Sequence, residues 1–220
     1  MKRKIVVLVS GGMDSVCALY DAASVYDVVT GVSFNYGAKH NRREIPFAAL
    51  HCQRLGLRHE IIGLEFIGEH FESALLKRGA PIPDTHHNAP AMKQTIVPFR
   101  NGIFLATAAG FAESLGADAV VIAAHAGDHV IFPDCRAEFM DAMSRAIRLG
   151  TDSGVEIIRP FIRLSKSQIV QRAQGLGICL ADTWTCYKGN ERHCGTCGAC
   201  VERREAFSLA GIVDPTAYDH

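Results

Sequence analysis

The sequence predicts a doubly wound, mostly parallel α/β sheet with a small metal-binding appendage at its C-terminal end. Three observations predict it. Short β-branched runs alternate with helical stretches, the pattern of parallel strands joined by right-handed crossovers. The first run ends in a glycine turn, Ser10-Gly11-Gly12, that opens directly into a helix. Four of the eight cysteines, Cys186, Cys194, Cys197 and Cys200, lie within 15 residues of one another. With 220 residues, 48% of them hydrophobic, the chain can bury one core or one core plus an appendage. We divide it into an α/β domain over 1–183 and a cysteine-bearing tail over 184–220 packed on it.

Taken in order, Lys4 to Val9 is the first strand, Met13 to Tyr26 a helix, and Val28 to Phe34 a second buried strand. Arg42 to Leu55 has helical spacing and stops at Gly56, and Arg58 to Leu64 is a third strand. Gly79 to Pro98 breaks the pattern with its prolines and the pair His86-His87, and reads as a long loop, a candidate lid. Asn101 to Leu115 is a helix rich in small residues, Ala119 to Ala124 a strand, Glu138 to Leu149 a helix and Val155 to Ile158 a short strand. Ser165-Lys166-Ser167-Gln168 has the form of a capping box opening another helix. The tail from Thr183 holds the cysteines and a last short helix.

Charge narrows the function. Lys+Arg and Asp+Glu are 23 each, a balance that argues against a broad basic face for nucleic acid. No stretch approaches the roughly 18 apolar residues of a membrane helix. The apolar run Ile5 to Val9 is too short for a secretory leader and runs into the glycine turn, so a cytoplasmic protein is expected.

The segment Ser10-Gly11-Gly12-Met13-Asp14-Ser15 is a phosphate-loop candidate. Glycines let the backbone approach an anion, the first helical amides are unpaired and point at it, and the helix dipole favours negative charge there. Ser10 and Ser15 add hydroxyls. Asp14 is out of place beside a polyanion unless it holds Mg²⁺ or orients the loop. No Gly-Lys-Ser/Thr follows, so this is not the lysine-bearing phosphate loop, and it lacks the third spaced glycine of the dinucleotide fingerprint. The four clustered cysteines, with Gly195 and Gly198 between them, fit a closed tetrahedral Zn²⁺ site. An iron–sulfur cluster also takes four thiolates, but nothing else in the chain suggests redox chemistry.

Further polar clusters fall at strand ends or helix starts, where ligands bind in open α/β sheets. They are Asn35-Tyr36-Gly37-Ala38-Lys39-His40, Val97-Pro98-Phe99-Arg100-Asn101, His125-Ala126-Gly127-Asp128-His129 and Phe132-Pro133-Asp134-Cys135-Arg136. Arg100 and Arg136 can grip a phosphate or carboxylate with two prongs. Asp128 and Asp134 can accept ring N–H groups of a guanine-like base, or hold Mg²⁺.

The loop Ser-Gly-Gly-Met-Asp-Ser resembles the PP-loop of the N-type ATP pyrophosphatases, which split ATP between its α- and β-phosphates. Together with the four middle clusters, Thr-Trp-Thr-Cys-Tyr at 183–187 and the cysteine tail, the chain from Val6 to Pro215 resembles the 7-cyano-7-deazaguanine synthase family. It departs from that pattern at Phe132, where Tyr is frequent, and at Phe99, where a small residue is frequent. The resemblance implies a Rossmann-like fold of the adenine nucleotide alpha hydrolase type. It also implies a carbon–nitrogen ligase that makes the nitrile base on the route to queuosine, and a homodimer carrying a structural zinc. The deazapurine acid, ammonia and ATP with Mg²⁺ are the implied small-molecule partners, with no direct nucleic acid. The implied nucleotide residues are Ser10 to Ser15, and the catalytic ones Asp14, Ser15 and Lys166. Tyr36, His40, Arg100, Asn101, His125, Asp128, Asp134 and Arg136 are implied for the substrate, with Asp134 the leading candidate to read the base.

Three rivals are weighed. A PP-loop sulfur-transfer enzyme acting on tRNA needs a catalytic cysteine pair and a basic face, which the neutral charge and closed cysteine cluster disfavour. A paralogue could pass the activated acid to another amine. A zinc-knuckle module with a degenerate nucleotide domain is disfavoured by the intact Ser10, Asp14 and Ser15.

Overall fold

The computed structural model describes residues 2–219. Five parallel strands form one sheet in the order β3-β2-β1-β4-β5. They are β1 Lys4–Leu8, β2 Asp27–Asn35, β3 His59–Gly63, β4 Ala119–Val121 and β5 Glu156–Ile158. The helices between and after them are α1 Met13–Val25, α2 Asn41–Arg54, α3 Glu65–His70, α4 Arg100–Ser114, α5 Ala137–Gly150, α6 Lys166–Gly175 and α7 Gly198–Ala210.

Alternation along β1 explains the double winding. Ile5, Val7 and Val9 face one core, with Val16 and Leu19 of α1, Ile169 of α6 and Phe207 of α7. Val6 and Leu8 face the other, with Leu105 and Ala108 of α4 and Met140 of α5. Small residues on α4 let that helix lie close to the sheet. Trp184, Cys186 and Cys200 of the tail join this second core. The chain builds β1, β2 and β3 outward on one side, then returns to place β4 and β5 on the other. The order therefore reverses between β1 and β4, and a crevice opens beyond their carboxyl ends.

The expected doubly wound parallel sheet is present, and the differences are local. α3 is a single short helix of six residues, too few to show a period in the sequence. β4 stops at Val121 rather than Ala124, because β1 turns into its loop and β5 ends at Ile158; one last bond runs from Ile122 N to Ile158 O at 3.0 Å. Gly56, with φ +66°, follows α2 as expected for a left-handed helix stop. The capping box forms in full, Gln168 N donating to Ser165 Oγ and Ser165 N to Gln168 Oε1. Residues 79–98, the expected lid, lie against the cysteine tail. A turn of 3-10 helix, Pro90–Thr95, buries Met92 and Thr95 there, and Thr196 and Lys188 of the tail hold Asp84.

One buried cation fastens the end of the chain. Arg203 on α7 is fully buried. It donates to Thr183 Oγ1 at 2.8 Å, Leu180 O at 2.8 Å, Thr185 Oγ1 at 3.2 Å and Asp214 Oδ1 at 3.2 Å, and lies 5.0 Å over the Phe207 ring. Arg203→Met leaves the Asp214 carboxylate without its cation, with only Thr216 N and Tyr218 OH still donating to it. We expect urea denaturation to show a loss of about 3–5 kcal/mol, the usual cost of breaking a buried pair from one side. A loss below about 1 kcal/mol, the range of exposed pairs, would contradict this role.

Candidate active site

The crevice holds a cavity of about 240 Å³. Its floor is the turn after β1. Gly11 adopts φ +99°, and a Cβ there would meet the carbonyl oxygen of Glu44 at 2.0 Å, so only glycine fits between loop and α2. The loop holds itself in shape: Gly12 N donates to Ser10 Oγ at 3.2 Å, Ser10 N to Ser15 Oγ at 3.1 Å, and Ser15 Oγ to Gly12 O at 2.9 Å. From the far side Trp184 N donates to Gly11 O at 2.9 Å. The amides of Met13, Asp14 and Ser15 form the first turn of α1, where no intrahelical acceptor exists for them.

Behind the loop lies a cluster of buried charge. Lys166 Nζ, at the start of α6, is 3.1 Å from Asp14 Oδ2 and 2.7 Å from Glu202 Oε2 on α7. Burial works against every charge here, and mutual attraction prevails. Lys166 is held well above its ordinary pKa, and Asp14 and Glu202 below theirs. His125 follows β4; its Nδ1 accepts from Gly127 N at 3.1 Å, which turns Nε2 toward Asp128 Oδ2 at 3.5 Å and Asp14 Oδ2 at 3.7 Å. Burial raises the Asp128 pKa. Asp14 Oδ1 is buried and has no hydrogen-bond partner among the described residues, which leaves one acceptor aimed at whatever fills the site.

The opposite wall is aromatic and cationic. The Arg100 guanidinium sits 5.8 Å from the Phe104 ring centre and 6.0 Å from that of Tyr36. Its Nε is buried and has no hydrogen-bond partner among the described residues. Burial keeps His40 neutral, lowering its pKa to about 4, and raises Glu44 to about 8.

The structure brings most of the candidates together. Ser10, Gly12, Met13, Asp14, Ser15, Tyr36, His40, Arg100, Asn101, Asp128 and Lys166 line the cavity. Gly11, the loop residue packed against α2, is outside the lining, and His125 lies beneath the wall, 1% exposed. Asp134 and Arg136 are not in the lining. Asp134 Oδ2 accepts from Asn101 N at 2.8 Å and so caps α4, fixing the helix that carries Arg100 and Asn101. Arg136 is exposed and donates to His129 O at 3.1 Å. Glu44, Tyr187 and Glu202 also line the cavity and were missed by the sequence reading. Glu44 follows His40 by four residues, one helical turn on, and that spacing was a usable signal. Glu202 sits in the cysteine tail, where attention to the metal hides it.

Apart from this site, the Sγ atoms of Cys186, Cys194, Cys197 and Cys200 lie within 4.8 Å of one another, all buried. Backbone N–H groups of Cys194, Thr196 and Cys197 donate to these sulfurs at 3.3–3.4 Å, a second shell suited to thiolate charge.

A family model described as queuosine biosynthesis protein QueC matches residues 4–211. The chain belongs to the QueC family. This QueC-family chain is 51% identical over 218 residues to the 7-cyano-7-deazaguanine synthase of Porphyromonas gingivalis, covering 99% of this chain and 98% of that one. It is 47% identical to the synthase of Desulfotalea psychrophila, with 97% of each covered. Among solved structures it resembles the U34-tRNA thiolase NcsA from Methanococcus maripaludis, solved with its [4Fe-4S] cluster, at TM-score 0.55 and 13% identity over 94% of this chain and 65% of that one. It also resembles an NMN synthetase from Francisella tularensis, at TM-score 0.52 and 15% identity over 96% of this chain and 78% of that one. Those two likenesses establish the fold alone.

The Lys166 cluster gives a sharp test. Lys166→Met leaves Asp14 and Glu202 buried without their cation, and urea denaturation is expected to show a loss of about 3–5 kcal/mol. Adding Glu202→Leu removes one of the stranded charges and should recover more than about 1 kcal/mol of that loss. Simple additivity of the two substitutions would show that the three groups do not act as a unit.

Proposed function

We propose that this chain is an ATP-dependent ligase that converts 7-carboxy-7-deazaguanine and ammonia into 7-cyano-7-deazaguanine. The observation that carries the reading is the presence of two anion-seeking groups in one cavity: the unpaired amides of the loop, and the Arg100 guanidinium, whose buried Nε has no partner among the described residues. That arrangement suits a triphosphate and a second, acidic ligand, in a chain half identical to proteins bearing the synthase name.

The chemistry follows from leaving groups. A carboxylate oxygen leaves poorly and AMP leaves well. The substrate carboxylate attacks the α-phosphorus and pyrophosphate departs. Ammonia then attacks the acyl carbon, and AMP and a proton depart, giving the amide. The amide oxygen attacks a second ATP, again expelling pyrophosphate. Loss of AMP and of both amide protons leaves the carbon–nitrogen triple bond. One adenylating site serves both rounds.

In this reading Ser10 to Ser15 hold the phosphates and Lys166 fixes Asp14. Asp14, with its free buried oxygen, would hold Mg²⁺, which supplies charge neutralisation between phosphate oxygens. Arg100 and Asn101 take the acid, Tyr36 and His40 offer flat faces to the ring, and Asp128 accepts a ring N–H. Asp134, read from sequence as the base reader, acts through the α4 cap it makes, and Arg136 lies further out.

The four-cysteine centre holds one Zn²⁺ in this reading. Two thiolates on one ion cannot sit further apart than twice the Zn–S distance, roughly 4.6 Å, and a tetrahedral pair sits near ~3.8 Å. Cys194 and Cys200, at 4.0 Å, are close to that spacing, and all four sulfurs lie within 4.8 Å of one another. The ion folds 184–220 onto 1–183. A cytoplasmic homodimer completes the proposal, the reducing compartment keeping the thiols available.

Incubation with ATP, ammonium and the carboxy-deazaguanine should release AMP and pyrophosphate, and mass spectrometry should find amide, then nitrile. Asp14→Ala is expected to lower turnover by about 100-fold or more while circular dichroism stays unchanged. Release of ADP and phosphate would overturn the adenylation chemistry. Elemental analysis should find one zinc for each chain, and Cys200→Ser should lose it along with the cooperative unfolding of the tail; iron, with a visible absorbance band, would overturn the zinc assignment.

A further inference from the structure

The segment 79–98 plays no part in the cavity, yet it carries a second convergence of metal-ligating side chains. His86 and His87 on this segment and Glu205 on α7 each offer a ligand atom, and these atoms lie within 4.8 Å of one another. His86 Nε2 is 3.0 Å from Glu205 Oε1, and His87 Nδ1 is 3.4 Å from Glu205 Oε2. His87 Nδ1 is shielded from solvent and makes no hydrogen bond among the described residues, so its approach to the carboxylate does not satisfy it.

We propose that His86, His87 and Glu205 form a second metal site, for a divalent ion of the Zn²⁺, Co²⁺ or Ni²⁺ type, separate from the four-cysteine centre. Two imidazoles and one carboxylate are the donor set such ions prefer when sulfur is absent, and the exposed side of the cluster leaves positions open for water. Burial lowers the His87 pKa, which keeps the ring in its neutral, ligating form at neutral pH.

The backbone around the site is already fixed. Asp84 bridges to Cys197 and is held by Thr196 and Lys188, so the segment is pinned to the knuckle just before the histidines. Gly198 lets the chain at His87 come close: a Cβ on Gly198 would lie 3.2 Å from His87 Cα. The histidine pair therefore rests on the start of α7, and Glu205 reaches it from two turns further along the same helix. One feature weakens the site. His86 Nδ1 accepts from Asn88 N at 3.2 Å, so the ring proton sits on Nε2. A metal at Nε2 moves that proton to Nδ1 and breaks the Asn88 bond, which sets the affinity below that of the thiolate centre. Occupancy would clamp segment 79–98 to α7 one turn beyond Glu202, the partner of Lys166.

The test titrates full-length protein carrying one zinc for each chain with Co²⁺. We expect cobalt d–d bands without sulfur-to-cobalt charge transfer, and a total of two metal ions bound for each chain by elemental analysis after equilibrium dialysis. Glu205→Gln, and separately the double variant His86→Ala/His87→Ala, should weaken cobalt binding by about tenfold or more and leave the zinc content at one. Saturation at one metal for each chain, cobalt binding unchanged in both variants, or a spectrum showing only sulfur-to-cobalt charge transfer from cobalt that has replaced zinc at the cysteines would each overturn the site and leave a plain histidine–glutamate contact.

Discussion

The buried ammonium of Lys166 is the point on which the site depends. It draws together Asp14 from the start of α1 and Glu202 from α7, three segments far apart in the chain. Removing three charges from water costs several kcal/mol for each ion, and only close opposite charge offsets it. The pKa directions agree with that balance, because burial alone would neutralise all three groups and their attraction keeps them ionised. With one ammonium set against two carboxylates, the cluster carries a surplus of negative charge. A nucleotide arriving beside it needs a counter-cation, and the free oxygen of Asp14 is where one can attach.

Topology decides where this happens. With the strand order 3-2-1-4-5, the chain leaves β1 toward one side and β4 toward the other, and the crevice opens between their ends. The phosphate loop falls on one lip and His125 on the other. Each side of the gap then receives a different chemistry. Backbone amides and hydroxyls face it from α1, and a guanidinium framed by Tyr36 and Phe104 faces it from α4. The same sheet core that sets the helices therefore sets the distance between the two anion-seeking walls.

Much of this was legible in the sequence. The β-branched runs gave β1, β2 and β3 within a residue or two, and the Ser165 capping box was read correctly because its chemistry is local. The loop from Ser10 to Ser15 was legible because tight turns demand glycine. Properties that arise only on folding were hidden. Asp134 is a helix cap because α4 happens to begin beside it, a relation between residues 33 positions apart in sequence. Glu202 became a partner of Lys166 only when α7 packed on α6. The short α3 and the packed course of residues 79–98 left no periodic trace, since one is a single turn or so and the other is held by contacts to the tail.

Those tail contacts bear on what the cysteine centre does. Cys186 follows Trp184 by two residues, and Trp184 N holds Gly11 O of the phosphate loop. Cys200 precedes Glu202 by two residues, and Glu202 holds Lys166. Gly189, between the ligands, lies against the backbone of Lys39 so closely that a Cβ there would be 2.3 Å from its carbonyl oxygen, at the entrance to α2 and next to His40. The knuckle therefore touches the loop, the charged cluster and the β2 side of the cavity at once. The knuckle buries Trp184, Cys186 and Cys200 in the core, and metal–thiolate bonds would add the cross-links that so short and glycine-rich a segment otherwise lacks. A metal held there would stand outside the crevice, and by fixing Trp184, Gly189 and Glu202 it would steady three walls of the candidate site.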